Sequence, residues 1–412
     1  MGLPFSPDEA APLAGVRVLD AARVLAGPFC GQLLADLGAE VIKLERPGQG
    51  DDTRGWGPPF LGQLSAYFLS CNRSKRSLTL DIARAQGKEI LHQLLDKSDV
   101  LIENFRSDSA AKLGLEPDEL LDRHPRLVIC SISGFGRSGP MKDEPGYDFA
   151  IQAMSGLMNI TGPPDGPPCK VGVAVADVLT GLYASTAILA CLQARSRSGH
   201  GYAIDLALLD CALAAQVNVA QAYLTEVSGG KPAEDCVPAR QGNAHLQIVP
   251  YQLFATADGW LVLNVGNDGQ WQAFCSAAGA TDLGGDPRFK TNRQRVERRD
   301  ELVPRVAARM KALATAEWEQ RLAEANVPHA VVWNYADLFQ QTQVLERGMK
   351  VRVRDPAGNP VDLVGNPIHL TGGALEPARM PPNLGEHTET VLSDLLGLNA
   401  AELGELRGNG VI

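Results

Sequence analysis

Apolar residues in the first third of the chain fall into short continuous runs: VRVLDAA (16–22), AEVIKLE (39–45), RSLTLDI (76–82), DVLIENF (99–105) and RLVICSIS (126–133). Runs of this length with adjacent apolar positions predict strands buried on both faces. Between them PFCGQLLADLG, GKEILHQLLDKS and DELLDRHP space their apolar residues as a helix does. Strand and helix alternate, so the pattern predicts an α/β fold around a largely parallel sheet. A longer helix is predicted from about Val178 to Ala194, closed by the glycines of SRSGHG.

The pattern changes beyond about residue 225. SGGKPAEDCVPARQGN has linker composition, and YQLFATADGWLVLNVG predicts a hairpin turning at Ala-Asp-Gly. Helical segments follow near 270–279 and 299–325, then short strands in AVVWNY and VRVRDP, then a helix in EHTETVLSDLLG. This second set predicts a smaller α+β domain. No internal repeat interrupts either set.

At 412 residues the chain exceeds one ordinary core, which agrees with two domains. A net charge of −10 gives no attraction to nucleic acid or acidic membranes. No uninterrupted apolar stretch reaches about 18 residues and no secretory h-region opens the chain, so a cytoplasmic protein is expected. MGLPFS loosely fits an acylation pattern at Gly2 and Ser6, without the basic cluster that a stable anchor needs. The eight cysteines are dispersed and mostly apolar in context, as reduced buried thiols are. The seven histidines show no ligand spacing, and no phosphate-binding G-x-x-x-x-G-K-[ST] occurs. Neither a metal nor a nucleoside triphosphate is expected.

SISGFGRSGP (131–140) holds G-x-G-x-x-G at Gly134, Gly136 and Gly139 behind a predicted strand. In a dinucleotide fold the third glycine lies in the opening turns of a helix. Here Pro140 and the polar turn MKDEPGYD follow, so the loop reads as a sharp exit from a buried strand, and no NAD is implied.

Asp177 is a lone acid after small apolar residues in VGVAVADVLTGLYA. Its carboxylate is a candidate helix cap, accepting backbone N–H bonds. Equally, the helix terminus would keep it ionised and nucleophilic in an apolar pocket, able to attack an acyl carbon.

Six blocks in order, 12–60, NRSKRSLTLDI (72–82), DVLIENFR (99–106), SISGFGRSGP (131–140), GYDFAIQAMSGLMNITG (146–162) and VAVADVLTGLYA (173–184), resemble class III CoA-transferases of the CaiB/BaiF type. The resemblance implies a large Rossmann-like parallel-sheet domain, a smaller α+β domain and an interlocked homodimer. It sets the boundaries at 1–205, a linker helix at 206–225, the small domain at 226–330, and a return to the large domain over 331–412. Asp177 falls on the family's nucleophile. Contacts to coenzyme A, bound as acyl-CoA, carry over to Leu25, Ala26, Arg46, Leu80, Asp81, Ile82, Ala83, Asn104, Phe105, Arg106, Lys112, Pro145, Gly146, Tyr147 and Asp148. Some relatives have a base where Ala83 stands, and Arg84 is the neighbouring substitute.

Within the family the nearest resemblance is to members that pass CoA from succinyl-CoA to dicarboxylic acids, glutarate foremost; citramalate, mesaconate and itaconate are alternatives. The distal carboxylate then needs a cation, and Arg54, Arg73, Arg240 and His245 are candidates, with Trp56 as a pocket wall. The glycine-rich lid of oxalate-handling relatives is replaced by GNAHLQIVPYQ. An α-methylacyl-CoA racemase is the rival within the family, but Tyr147 stands where racemases place a histidine, and VGNDGQW lacks their glutamate. A catalytically silent acyl-CoA-binding homologue is the remaining alternative.

Overall fold

Along each predicted strand, alternate side chains enter two different cores. In the computed structural model, which describes residues 11–371 and 373–412, Leu19, Ile42, Leu78, Leu101 and Ile129 pack on one face of a sheet. Val18, Val41, Val100, Ile102, Val128 and Cys130 pack on the other. That is the period-2 geometry of a strand with no solvent face. The acylation pattern at Gly2–Ser6 lies outside the described residues.

The sheet has six parallel strands in the order Arg76–Thr79, Glu40–Glu45, Arg17–Asp20, Val100–Glu103, Val128–Ser133, Tyr202–Ala207. Strand order reverses between Arg17–Asp20 and Val100–Glu103. Ligands of open α/β sheets bind at such a switch point, outside the carboxyl ends of the strands. The sixth strand, YAIDLA, was not anticipated. It is an edge strand with partly exposed, alternating positions, so it lacks the continuous apolar signal of the other five.

Two helices clamp one face. The helix Ala26–Asp36 follows the first strand, and the 24-residue helix Val175–Ser198 crosses it so closely that a Cβ on Gly181 would sit 2.8 Å from the Ala26 carbonyl oxygen. Val175–Ser198 meets the length and composition test for a membrane span, with a mean hydropathy of 1.7 and 33% of the tested window buried. Its Ala184 and Ile188 instead belong to the core under the sheet. The opposite face is covered by Ala85–Leu95 and by two late helices, Thr388–Leu396 and Ala400–Gly408, whose Val391, Leu392, Leu403 and Leu406 join that core.

The chain forms two compact units, one of residues 1–157, 171–224 and 342–412, the other of 158–170 and 225–341. Residues 158–170 thus group with the second unit rather than with the chain around them. In that unit the hairpin Tyr251–Ala255 and Trp260–Asn264 pairs antiparallel, with Ala255 opposite Trp260, and His329–Val331 adds a third strand. Its core is built on Trp271, Phe274, Phe289 and Trp318.

Candidate active site

The helix carrying Asp177 starts at Val175, so Asp177 lies inside the first turn and does not cap it. The cap comes from a distant element. Asp148 Oδ1 accepts the Ala176 N–H at 2.8 Å, while its Oδ2 accepts from Gln152 Nε2 at 2.7 Å. Asp148 was expected to touch CoA; both its oxygens serve this junction. Asp177 itself makes no hydrogen bond or ion pair with the described residues.

Burial, and then the neighbouring Asp148 carboxylate, push Asp177 up from the usual carboxylate range to about 7. The expectation that the helix terminus holds it ionised is therefore corrected. Loss of water and a second negative charge outweigh the dipole. Near neutral pH the group is poised between acid and nucleophile.

Asp177 opens into a cleft of about 1120 Å3 lined by Arg23, Ala26, Asn104, Phe105, Arg106, Gly134 and the turn Pro145–Gly146–Tyr147. The glycine motif has a packing role here. A Cβ on Gly134 would lie 2.5 Å from the Cα of Gly146, so the two loops cross with no room for a side chain. A second cleft of about 710 Å3 gathers Arg46, Leu80, Asp81, Ile82 and Ala83. Arg23, Asp52 and Phe105 line both, so the two clefts adjoin at the sheet's switch point.

Several expected CoA contacts have other duties or stand apart. Asn104 locks the main chain opposite it, accepting from Arg23 N–H at 2.9 Å and donating to the Arg23 carbonyl at 2.8 Å. Leu25 precedes the first helix and is absent from both linings, although Val24 and Ala26 are present. Lys112 is exposed in the last turn of Ser107–Leu113 and lines neither cleft. Arg84, the substitute base, pairs with Asp81 at 3.0 Å.

The cations proposed for a distal carboxylate need the larger correction. Arg54 is bidentate to Glu45 at 2.8 and 2.7 Å, with its guanidinium 3.8 Å over the Phe68 ring. Arg73 is buried and bidentate to Asp36, and also donates to the Val364 carbonyl. Both are consumed in structural ion pairs, a context that isolated sequence positions cannot reveal. Arg73→Lys is expected to lose the planar fork and about 1–2 kcal/mol of stability. Thermal melting would register this, with KM for an acid acceptor unchanged. Arg240 and His245 belong to the second unit. There Arg240 donates to the Asn159 and Gly166 carbonyls at 3.2 and 3.0 Å, and His245 Nδ1 accepts the Gln247 N–H at 3.0 Å.

Trp56 stands edge-on to Tyr67 with ring centroids 5.2 Å apart. Burial, followed by the nearby Asp177 charge, raises the Tyr67 phenol to about 12. Tyr67 and Arg23 were missed in the sequence. Arg23 had one usable signal: it is a cation immediately beyond the carboxyl end of a predicted buried strand. Among the described residues no group of three His, Cys, Asp or Glu could hold a metal ion.

Residues 13–388 match the CoA-transferase family III. The chain is 41% identical over 405 residues to the succinyl-CoA:glutarate CoA-transferase of Mus musculus, covering 98% of this chain and 91% of the relative. It is 42% identical over 400 residues to the succinate–glutarate CoA-transferase of Agrobacterium fabrum, covering 94% and 97%. A crystal structure of a CaiB/BaiF family protein from Brucella suis superposes with a TM-score of 0.81 at 41% identity, covering 94% of this chain and all of that one. With the Rossmann-type strand order and two adjoining clefts, one of them lined by a partly buried carboxylate, these similarities settle the assignment: the chain is an enzyme of CoA-transferase family III.

Proposed function

We propose that this enzyme moves CoA from succinyl-CoA to glutarate, with Asp177 as the covalent nucleophile. The observation that carries the reading is a partly buried carboxylate, unpartnered among the described residues, lining a cleft that adjoins a second one at Arg23, Asp52 and Phe105. The curated relatives with glutarate in their names supply the choice of acids.

In the forward direction an Asp177 oxygen attacks the succinyl thioester carbon. The C–S bond breaks, leaving a succinyl–aspartyl anhydride and CoA thiolate. The thiolate attacks the Asp177 carbonyl and expels succinate, giving an aspartyl-CoA thioester. A glutarate carboxylate attacks that thioester, releasing the thiolate and forming a glutaryl–aspartyl anhydride. Thiolate attack on the glutaryl carbonyl yields glutaryl-CoA and frees Asp177. One thioester replaces another, so no external energy source enters the balance. Trp56 and Tyr67 are outside both linings, but the Asp177 charge reaches the Tyr67 phenol, so this ring pair is assigned to the acyl end and Arg46 to the nucleotide end. We further read the active form as a cytoplasmic homodimer. Exposed Phe149, Met154, Leu182, Tyr183 and Leu213 on the first unit support a subunit contact.

The test is incubation with succinyl-CoA and a panel of acids without ATP or metal, the CoA products being read by mass spectrometry. Glutaryl-CoA with stoichiometric succinate is expected. Loss of stereochemistry at a methyl-branched α-carbon with no exchange would instead assign the racemase reaction. Because only the ionised carboxylate attacks, kcat/KM for succinyl-CoA is expected to fall about tenfold per pH unit below about pH 7, and to level off above it. A profile flat down to about pH 5 would mean that Asp177 stays ionised well below 7 and is not held up by its surroundings.

A further inference from the structure

We propose that Arg23 and Asp52 form an exchangeable latch at the waist of the cleft, in which the diphosphate of CoA displaces Asp52 from the Arg23 guanidinium. This rests on the CoA-transfer reading. An acyl-CoA with its nucleotide among Arg46 and Leu80–Ala83 and its thioester at Asp177 must pass the residues common to both clefts, Arg23, Asp52 and Phe105. The diphosphate is the part of CoA that lies between the nucleoside and the pantetheine arm. Among the described residues Arg23 is the only cation shared by the two linings.

Its main chain is rigid while its side chain is replaceable. Asn104 holds both its N–H and its carbonyl. The next residue, Val24, sits at φ 71, and its N–H is 3.3 Å from each carboxylate oxygen of Asp51. A β-branched residue in that conformation stays there only when its surroundings enforce it. Two residues further on, the helix Ala26–Asp36 begins with no side-chain cap, so its terminal N–H groups face the same end of the sheet. The guanidinium meets Asp52 at 3.1 Å, and both side chains are about half exposed, at 45% and 55%. A pair so exposed holds weakly, whereas a bidentate phosphate contact is strong. Asp52 would be repelled by the incoming diphosphate, so it swings clear, and it rejects carboxylates and other weak anions from the empty cleft.

Calorimetric titration of CoA and dephospho-CoA into the full-length wild type, Arg23→Gln and Asp52→Asn decides the matter independently of turnover. Dephospho-CoA keeps the diphosphate and lacks the 3′-phosphate. Arg23→Gln is expected to weaken both ligands about tenfold or more, and Asp52→Asn to tighten both severalfold. In the exchange assay, succinyl-pantetheine, which has no diphosphate, should react equally well with Arg23→Gln and wild type. A purely structural role would impair that truncated thioester as well, and would overturn the proposal. So would a penalty that vanishes with dephospho-CoA, which moves Arg23 to the 3′-phosphate. An Arg23→Gln defect confined to KM for glutarate, with CoA affinity intact, would assign the cation to the distal carboxylate instead. If CoA binds as expected but no acid is exchanged, the transfer reading fails while the latch stands.

Discussion

Asp177→Asn is expected to lower CoA exchange by at least about a thousandfold while making the protein more stable at alkaline pH. The activity loss follows from removing the nucleophile of every covalent step, and no other carboxylate in the cleft can take over. Asp148 is the nearest acid, and its two oxygens are held by Ala176 and Gln152. The gain in stability follows from the raised carboxyl. Above about pH 7 the native state keeps a desolvated negative charge beside Asp148, a penalty the unfolded chain does not bear. As pH falls from about 7 towards 4 the native protein takes up a proton that the unfolded chain does not, and the penalty disappears. Asparagine has no such penalty at any pH. Thermal melts should therefore place Asp177→Asn above wild type by about 2 kcal/mol near pH 8, with the gap closing near pH 4. Equal melting curves across that range would mean that Asp177 is not held in the desolvated, like-charged environment described. Undiminished exchange would remove the anhydride mechanism.

The second large effect is expected at Asp51, which takes no chemical step in the proposed reaction. Its carboxylate pairs with Lys43 Nζ at 2.8 Å, both side chains being fully buried, and accepts from the Thr53 N–H and hydroxyl at 3.0 and 2.7 Å. It also holds the Val24 N–H. Burial works against the charge, yet Lys43 and the Thr53 donors lower Asp51 to about 2. Lys43, likewise opposed by burial, is held above the ordinary lysine range by Asp51, Asp20 and Glu45. Asp51→Ala strands the Lys43 ammonium in the interior and releases the strained loop at Val24. A loss of about 3–5 kcal/mol is expected, read from denaturant unfolding near neutral pH. The folded value lies below the unfolded one, so the contribution of Asp51 is complete above about pH 4 and is lost as pH falls towards 2. The gap between variant and wild type should therefore narrow below about pH 4. A loss under about 1 kcal/mol would show that the loop does not depend on this clamp.

The strands were legible because burial on both faces leaves a continuous apolar trace, as in VICSI and VLI. Tyr202–Ala207 was not, since an edge strand with half-exposed positions leaves none. The helix Ala400–Gly408 was missed for a related reason: of its nine residues, only Leu403 and Leu406 are buried. In the site, the sequence pointed to Asp177 and to the glycine loop but misjudged the surroundings of Asp177. Whether an acid caps its own helix depends on whether another residue, here Asp148, reaches the terminal N–H first. That residue lies 28 positions away. Arg54 and Arg73 looked available because Glu45 and Asp36 meet them only in the fold. Arg23 stands at the carboxyl end of a predicted strand, but which strand end borders the switch point is known only once strand order is known.

The late helices on the sheet have a consequence for how the protein is made. Thr388 bonds to the main chain of Thr79 from 309 positions away, and the Asp81 N–H of the nucleotide cleft is received by the Val411 carbonyl. During synthesis, one face of the sheet lacks part of its cover until those residues leave the ribosome. A nascent chain of more than three hundred residues therefore carries some exposed apolar surface and an unfinished cleft wall for much of its translation time, roughly 20–80 s for 412 residues at 5–20 residues per second. The nucleotide cleft is incomplete in that interval, so chaperone protection should matter most until residues 388–411 have emerged, when aggregation competes with the closing of these helices onto the sheet.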